Sequence, residues 1–172
     1  MPFAYYDRLS AAKKRIYRAS DAIDAVPVSV DASVGAVVGR IRQTLEADDR
    51  RALRDACQDL ANHLTRGWQV PQLMILVLAK RPADDSGELH GLYEPGDDGA
   101  PARISVWMRT AQRRQIVAFK SFVRTLCHEL CHHLDYELCG FEGTFHTEGF
   151  YKRESSLANA LLAQLPAASD VR

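Results

Sequence analysis

Long apolar runs are missing from this chain. The longest, Leu73 to Ala79, is far too short to span a bilayer, so no membrane association is expected. The N-terminus, Met1 to Arg8, has no apolar run behind a basic flank and does not read as a signal peptide. There is no CxxC pair and no disulfide framework. The four cysteines are Cys57, Cys127, Cys131 and Cys139, and a bond between Cys127 and Cys131, four apart on one expected helix, would be strained. Free thiols suit a reducing compartment, so the expectation is a cytoplasmic protein. Charge of one sign is also missing: 22 Lys plus Arg balance 22 Asp plus Glu. The balance gives no argument for a nucleic-acid or membrane-surface partner, although a local basic patch is compatible with it. Internal repeats and low-complexity tracts are absent too.

What is present reads as one α+β domain over residues 1–172, in three parts: a helical part at 1–67, a core at 68–166 and a tail at 167–172. Tyr5 to Ile23 looks helical, and Asp24 to Ser33, with Pro27, looks like a connector. Apolar residues at helical spacing then mark Val34 to Leu45 and Asp49 to Arg66, with Gly67 ending the second helix. The texture changes at Trp68. Leu73 to Ala79 reads as a buried strand, Glu88 to Glu94 as a second and Arg103 to Arg109 as a third. The expectation is a three-stranded, mainly antiparallel meander. From about Ile116 the period is helical again: Phe119, Val123, Leu126, Leu130 and Leu134 continue one stripe, predicting a helix over 116–138. Gly140 and Gly143 interrupt it, and a last helix is expected from Thr147 to Leu165.

The chemistry lies on the 116–138 helix, as His128-Glu129-Leu130-Cys131-His132. Residues four apart on a helix are rotated by only ~40° and separated by ~6 Å of rise, so His128 and His132 can share one ion. Glu129, rotated by ~100°, stands near the open side of that ion, where it can take a proton from water. With six His in the chain, chance would produce an HExxH on the order of 0.01 times, so the motif carries weight. A catalytic zinc takes three protein ligands and leaves one position open. His146 is the first choice for the third ligand, with the carboxylates Glu142, Glu148 and Glu154 competing. Asp135 shares the helix face of His128 and His132, and either orients a ligand imidazole or is a solvated helix-end acid. His133 is rotated away and expected to be structural or exposed. Cys127 and Cys131 read as small core residues beside the site.

The strands, the HELCH helix and Phe145-His146-Thr147-Glu148-Gly149-Phe150 together resemble the SprT-like zinc metallopeptidases, of the zincin kind. In that family a second motif, HGxxF, opens the next helix and supplies the third ligand. His146 and Phe150 match its His and Phe, and Thr147 stands where Gly is usual. The resemblance covers roughly residues 70 to 165. It implies a zincin-like fold, Zn2+ held by His128, His132 and His146, and Glu129 as general base and acid in hydrolysis of a polypeptide. It also implies that the strand Arg103–Arg109 is the rim of the cleft, and that a further donor stabilises the oxyanion. Tyr151, Arg153, His133 and Tyr136 are the candidates for that donor. Some of the family acts on DNA-associated proteins, and Lys13-Lys14-Arg15, Arg50-Arg51, Arg113-Arg114 and Lys152-Arg153 offer phosphate contacts. Against DNA association stand the neutral balance and the lack of a cysteine zinc ribbon. The alternatives to a peptidase are a non-catalytic, zinc-stabilised peptide-binding or regulatory module, and a zinc hydrolase of non-peptide amides.

Overall fold

A computed structural model of the chain describes residues 2–85 and 87–165; the expected tail at 167–172 lies outside them. The architecture is α+β. Helices α1 (Ala11–Asp21), α2 (Ala32–Glu46) and α3 (Arg50–Trp68) come first, and α4 (Phe119–Glu137) and α5 (Glu148–Leu162) come last. Between them lie β1 (Met74–Lys80), the two-residue strands β2 (Ala83–Asp84) and β3 (Gly87–Glu88), then β4 (Gly91–Glu94) and β5 (Arg103–Arg109).

Local chemistry sets most of the boundaries. The first expected helix is split: a 3-10 turn at Tyr6–Arg8 precedes α1, because Leu9 is extended and Ser10 caps α1 by accepting the N–H of Lys13. Asp31 accepts the N–H groups of Ser33 and Val34 at the start of α2, and Asp49 accepts that of Ala52 at the start of α3. These side chains satisfy N–H groups that a helix start leaves without partners. Gly67 lies inside α3 rather than ending it. The helix closes one residue later, where Gln69 takes the left-handed conformation (φ 56°) and donates to the carbonyls of Thr65 and Arg66. Trp68 then pins the 24–31 connector, its indole N–H donating to the Pro27 carbonyl.

The sheet is not the meander expected from sequence. Its order is β1-β5-β4, with β1 parallel to β5 and β4 antiparallel to it. The chain leaves β1, passes through the β2–β3 ladder, forms β4 on the far edge and returns through β5 in the middle. Burial explains the choice. All five residues from Ile104 to Met108 are buried on β5, both faces included, whereas β1 is exposed at several positions and β4 has no buried residue. A strand covered on both faces belongs in the centre, and the exposed ones take the edges. Helix α3 packs on β1, and α4 lies across β4 and β5. The core is continuous from Val38, Ile41 and Leu60 in the N-terminal helices through Ile75 and Ile104 to Leu126, Leu130 and Leu157. Helices α2 and α3 are thus part of one core with the rest, and α1 packs against α5. Among the described residues no helix is long and apolar enough to cross a membrane.

Candidate metal centre

Helix α4 buries Phe122, Val123, Leu126, Leu130 and Leu134, and the next turn of its surface carries His128 and His132. Their Nε2 atoms lie 3.2 Å apart. After α4, Gly140 adopts φ 65°, a left-handed turn that glycine makes without strain, and sends the chain back along the helix. The returning loop ends at His146, immediately before Thr147, whose hydroxyl accepts the N–H of Phe150 and caps α5. That cap is the local reason a threonine follows the histidine. His146 Nε2 then lies 3.0 Å from that of His128 and 3.2 Å from that of His132. Among the described residues, these three histidines form the one group of three or more His, Cys, Asp or Glu able to hold a metal ion.

The donors fit a small tetrahedral ion. Nitrogens bonded to zinc at 2.0–2.1 Å stand about 3.3–3.4 Å apart, close to the spacing seen here. The hydrogen bonds also fix tautomers. Glu154 Oε2 lies 2.9 Å from His128 Nδ1 and accepts the hydrogen bond of its N–H, so the neutral ring carries its lone pair on Nε2. Thr144 Oγ1 donates to Asp135 Oδ2 at 2.7 Å, so toward His132 Nδ1, at 2.8 Å, it acts as acceptor. His132 Nε2 is therefore also a lone pair. At least two lone pairs thus converge on one point, which is repulsive until a cation sits there. Burial drives the His132 pKa down to about 3, with His128 and His146 adding to the effect, and keeps the ring neutral as a ligand requires.

Phe150 is the platform beneath the site. Its fully buried ring stands 5.0, 4.7 and 5.2 Å from the rings of His128, His132 and His146. Of the competing carboxylates, Glu154 orients His128 instead of joining the cluster, Glu148 is solvated and paired with Lys152 at 3.2 Å, and Glu142 is exposed. Asp135 is fully buried and reaches His132 through Thr144, not directly. It is therefore no solvated helix-end acid. Its other oxygen accepts from the Arg153 guanidinium at 2.8 Å.

Glu129 is 5% exposed, and its carboxylate accepts the backbone N–H of Tyr93 on β4. Burial pushes its pKa up to about 7, against the opposing pull of His128 and of that N–H. The approach of β4 depends on Gly91: a Cβ there would come within 2.8 Å of Glu129 Cγ and closer still to its Oε1. A cavity of about 510 Å³ opens over these groups, walled by Leu89, Leu92, Tyr93, Arg124 and Tyr136. The rim is therefore the edge strand β4. Arg103–Arg109, expected at the rim, is the central strand, because its two apolar faces are both covered.

Two of the four candidate oxyanion donors point elsewhere. His133 is fully buried; its Nε2–H donates to the Pro71 carbonyl at 2.8 Å and its Nδ1 accepts the Tyr93 hydroxyl at 3.1 Å. Arg153 is also fully buried. Tyr136 lines the cavity, while Tyr151 stacks on the outer side of His146 with ring centroids 5.9 Å apart. Cys127 and Cys131 are buried free thiols whose pKa values burial raises, in keeping with a packing role. Thr144, Gly91 and the orienting role of Glu154 are not legible in the motif. Glu154 did leave a signal, one helical turn past Phe150 and on its face. Thr144 left none. No family model matches the chain, and comparison with curated proteins and with solved structures gives no significant match.

Proposed function

We propose that the protein is a zinc-dependent metallopeptidase of the SprT-like kind, acting on polypeptide through Glu129. The observation that carries the reading is the pairing of an open three-histidine cluster with a buried carboxylate that is not one of its ligands. A structural zinc site closes its fourth position and has no use for a base.

His128, His132 and His146 would hold the ion. When bound, zinc supplies Lewis acidity that polarises a carbonyl and lets water act as a nucleophile near neutral pH. The protein's own groups do the rest. Glu129, buried in the cavity wall and not part of the three-histidine cluster, is placed to accept a proton from the attacking water and return it to the leaving amine. The outer edge of β4 receives the substrate as an added strand. Strand β4 is the edge of the three-stranded sheet and lines the cavity beside Glu129, so its outer side is placed to pair with an extended chain. Leu89 and Leu92, both substantially exposed, flank that edge and provide apolar surface for side chains. Tyr93 and Tyr136 are both phenols of the cleft wall; the Tyr93 hydroxyl donates to His133, so Tyr136 is assigned as donor to the developing oxyanion.

The test is Glu129→Gln. Cleavage of an unstructured polypeptide should fall to background while the variant retains one zinc per chain by metal analysis. Parental activity in that variant would remove Glu129 from the mechanism. A parent that binds zinc but cleaves nothing would leave a zinc-stabilised peptide-binding module.

A further inference from the structure

Residues 3–23 are joined to the histidine cluster by two routes, one through Arg153 and one through the loop that carries His146. The first route starts at the C-terminal end of α1. Arg153, fully buried on α5, donates from Nη1 to the carbonyls of Ser20 and Ile23, each at 2.6 Å, and from Nη2 to Ser20 Oγ at 3.0 Å. The same Nη2 donates to Asp135 Oδ1 at 2.8 Å. Asp135 holds the Thr144 hydroxyl, and that hydroxyl accepts from His132 Nδ1–H. The Arg153 guanidinium also lies 5.6 Å from the Phe150 ring that supports all three histidines. A guanidinium meets this geometry because its planar fork reaches carbonyls on one side and a carboxylate on the other.

The second route runs through the loop that carries His146. The Tyr5 hydroxyl donates to the backbone carbonyl of His146 at 3.0 Å. Phe3 packs edge-on against Tyr151, which in turn stacks on the His146 ring. Tyr17 lies against Phe145, and Gly149 N–H donates to Asp21 Oδ1 at 3.0 Å. Gly149 has no room for a side chain, since an added Cβ would meet the Ser20 carbonyl oxygen at 2.8 Å and that of Asp21 closer still.

We infer that Arg153 and Tyr5 are positioning residues of the metal centre, and that the N-terminal segment is a built-in part of it. Arg153 sets the acceptor that orients His132, and Tyr5 fixes the backbone from which His146 projects. The N-terminal helix is accordingly not a removable cover over the cleft: displacing it would loosen two ligands at once. This rests on the reading that the three histidines hold a metal.

The experiment compares the full-length parent with Arg153→Lys and Tyr5→Phe, by zinc competition against a chromophoric chelator and by the visible spectrum of the cobalt-loaded proteins. Arg153→Lys keeps the charge and loses the fork. Its zinc affinity should fall by up to roughly 10-fold, the low end of what losing a direct partner of a ligand histidine costs, because Arg153 acts on His132 through Asp135 and Thr144. Tyr5→Phe keeps the ring and should lose roughly 5-fold, as expected for one neutral hydrogen bond. Both should shift the cobalt ligand-field bands, which a change in global stability alone would not do. Variants that melt earlier without metal, yet bind zinc and colour with cobalt like the parent, would overturn the inference. If Arg153→Lys does not fold, Tyr5→Phe decides by itself. A parent that binds no zinc would instead refute the metal reading.

Discussion

At the scale of residues, the site is governed by where protons sit. Glu154 and Thr144 each accept a hydrogen bond from the Nδ1–H of a histidine on α4, which leaves the Nε2 lone pair of each neutral ring to face the same point. Glu129 is held differently: burial raises its pKa, and one backbone N–H from β4 holds its carboxylate. Gly91 makes that contact sterically feasible. Gly91→Ala should therefore displace the Glu129 carboxylate without touching a ligand histidine. Turnover should fall on the order of 10²-fold, the cost of misplacing a reacting group by about an ångström, while zinc affinity measured by chelator competition stays at the parental value. Equal losses in both measurements would mean that Gly91 supports the whole cluster and not the base alone.

At the scale of elements, α4 and α5 form a unit whose geometry is set at the start of α5. Thr147 caps the helix through Phe150 N–H and lies 3.5 Å from Ser20 Oγ on α1. Phe150 then sits under the histidines. Thr147→Ala should cost about 1 kcal/mol, typical of a lost N-cap. For a chain of this length that corresponds to a melting point roughly 2–4 °C lower in calorimetry of the metal-free protein. An unchanged melting point would show that the cap is redundant with the packing of Phe150. The sheet teaches a related lesson. Both β1 and β5 contain apolar runs, but only β5 is buried along both faces, and so β5 takes the centre while the chain's order would have placed it at an edge.

At the scale of the whole molecule, α2 and α3 share one core with α4 and α5, and the three histidines come from α4 and from the loop at 138–147 that follows it. A metal bound by the folded form alone should stabilise the whole. With free zinc at about a thousand times its dissociation constant the gain is about 4 kcal/mol, equivalent to roughly 8–16 °C in melting temperature. Adding a chelator to the zinc-loaded protein should lower the melting point by that order, and restored zinc should reverse it; insensitivity to chelator would contradict a metal held by all three histidines. The sequence by itself determined what short-range periodicity encodes: helices α2 to α5 to within a few residues, and the pairing of His128 with His132 on one face of α4, with His146 the first choice among several candidates to join them. Capping chemistry and glycine turns act within a few residues, so those features survive whatever the rest of the chain does. Only the tertiary structure decided the sheet order, the use of β4 as the rim, the path from Asp135 to His132 through Thr144, and the tie from α1 to the site through Arg153. Each of those depends on contacts between residues far apart in the chain, where burial and hydrogen-bond satisfaction select among arrangements that local pattern leaves equally open.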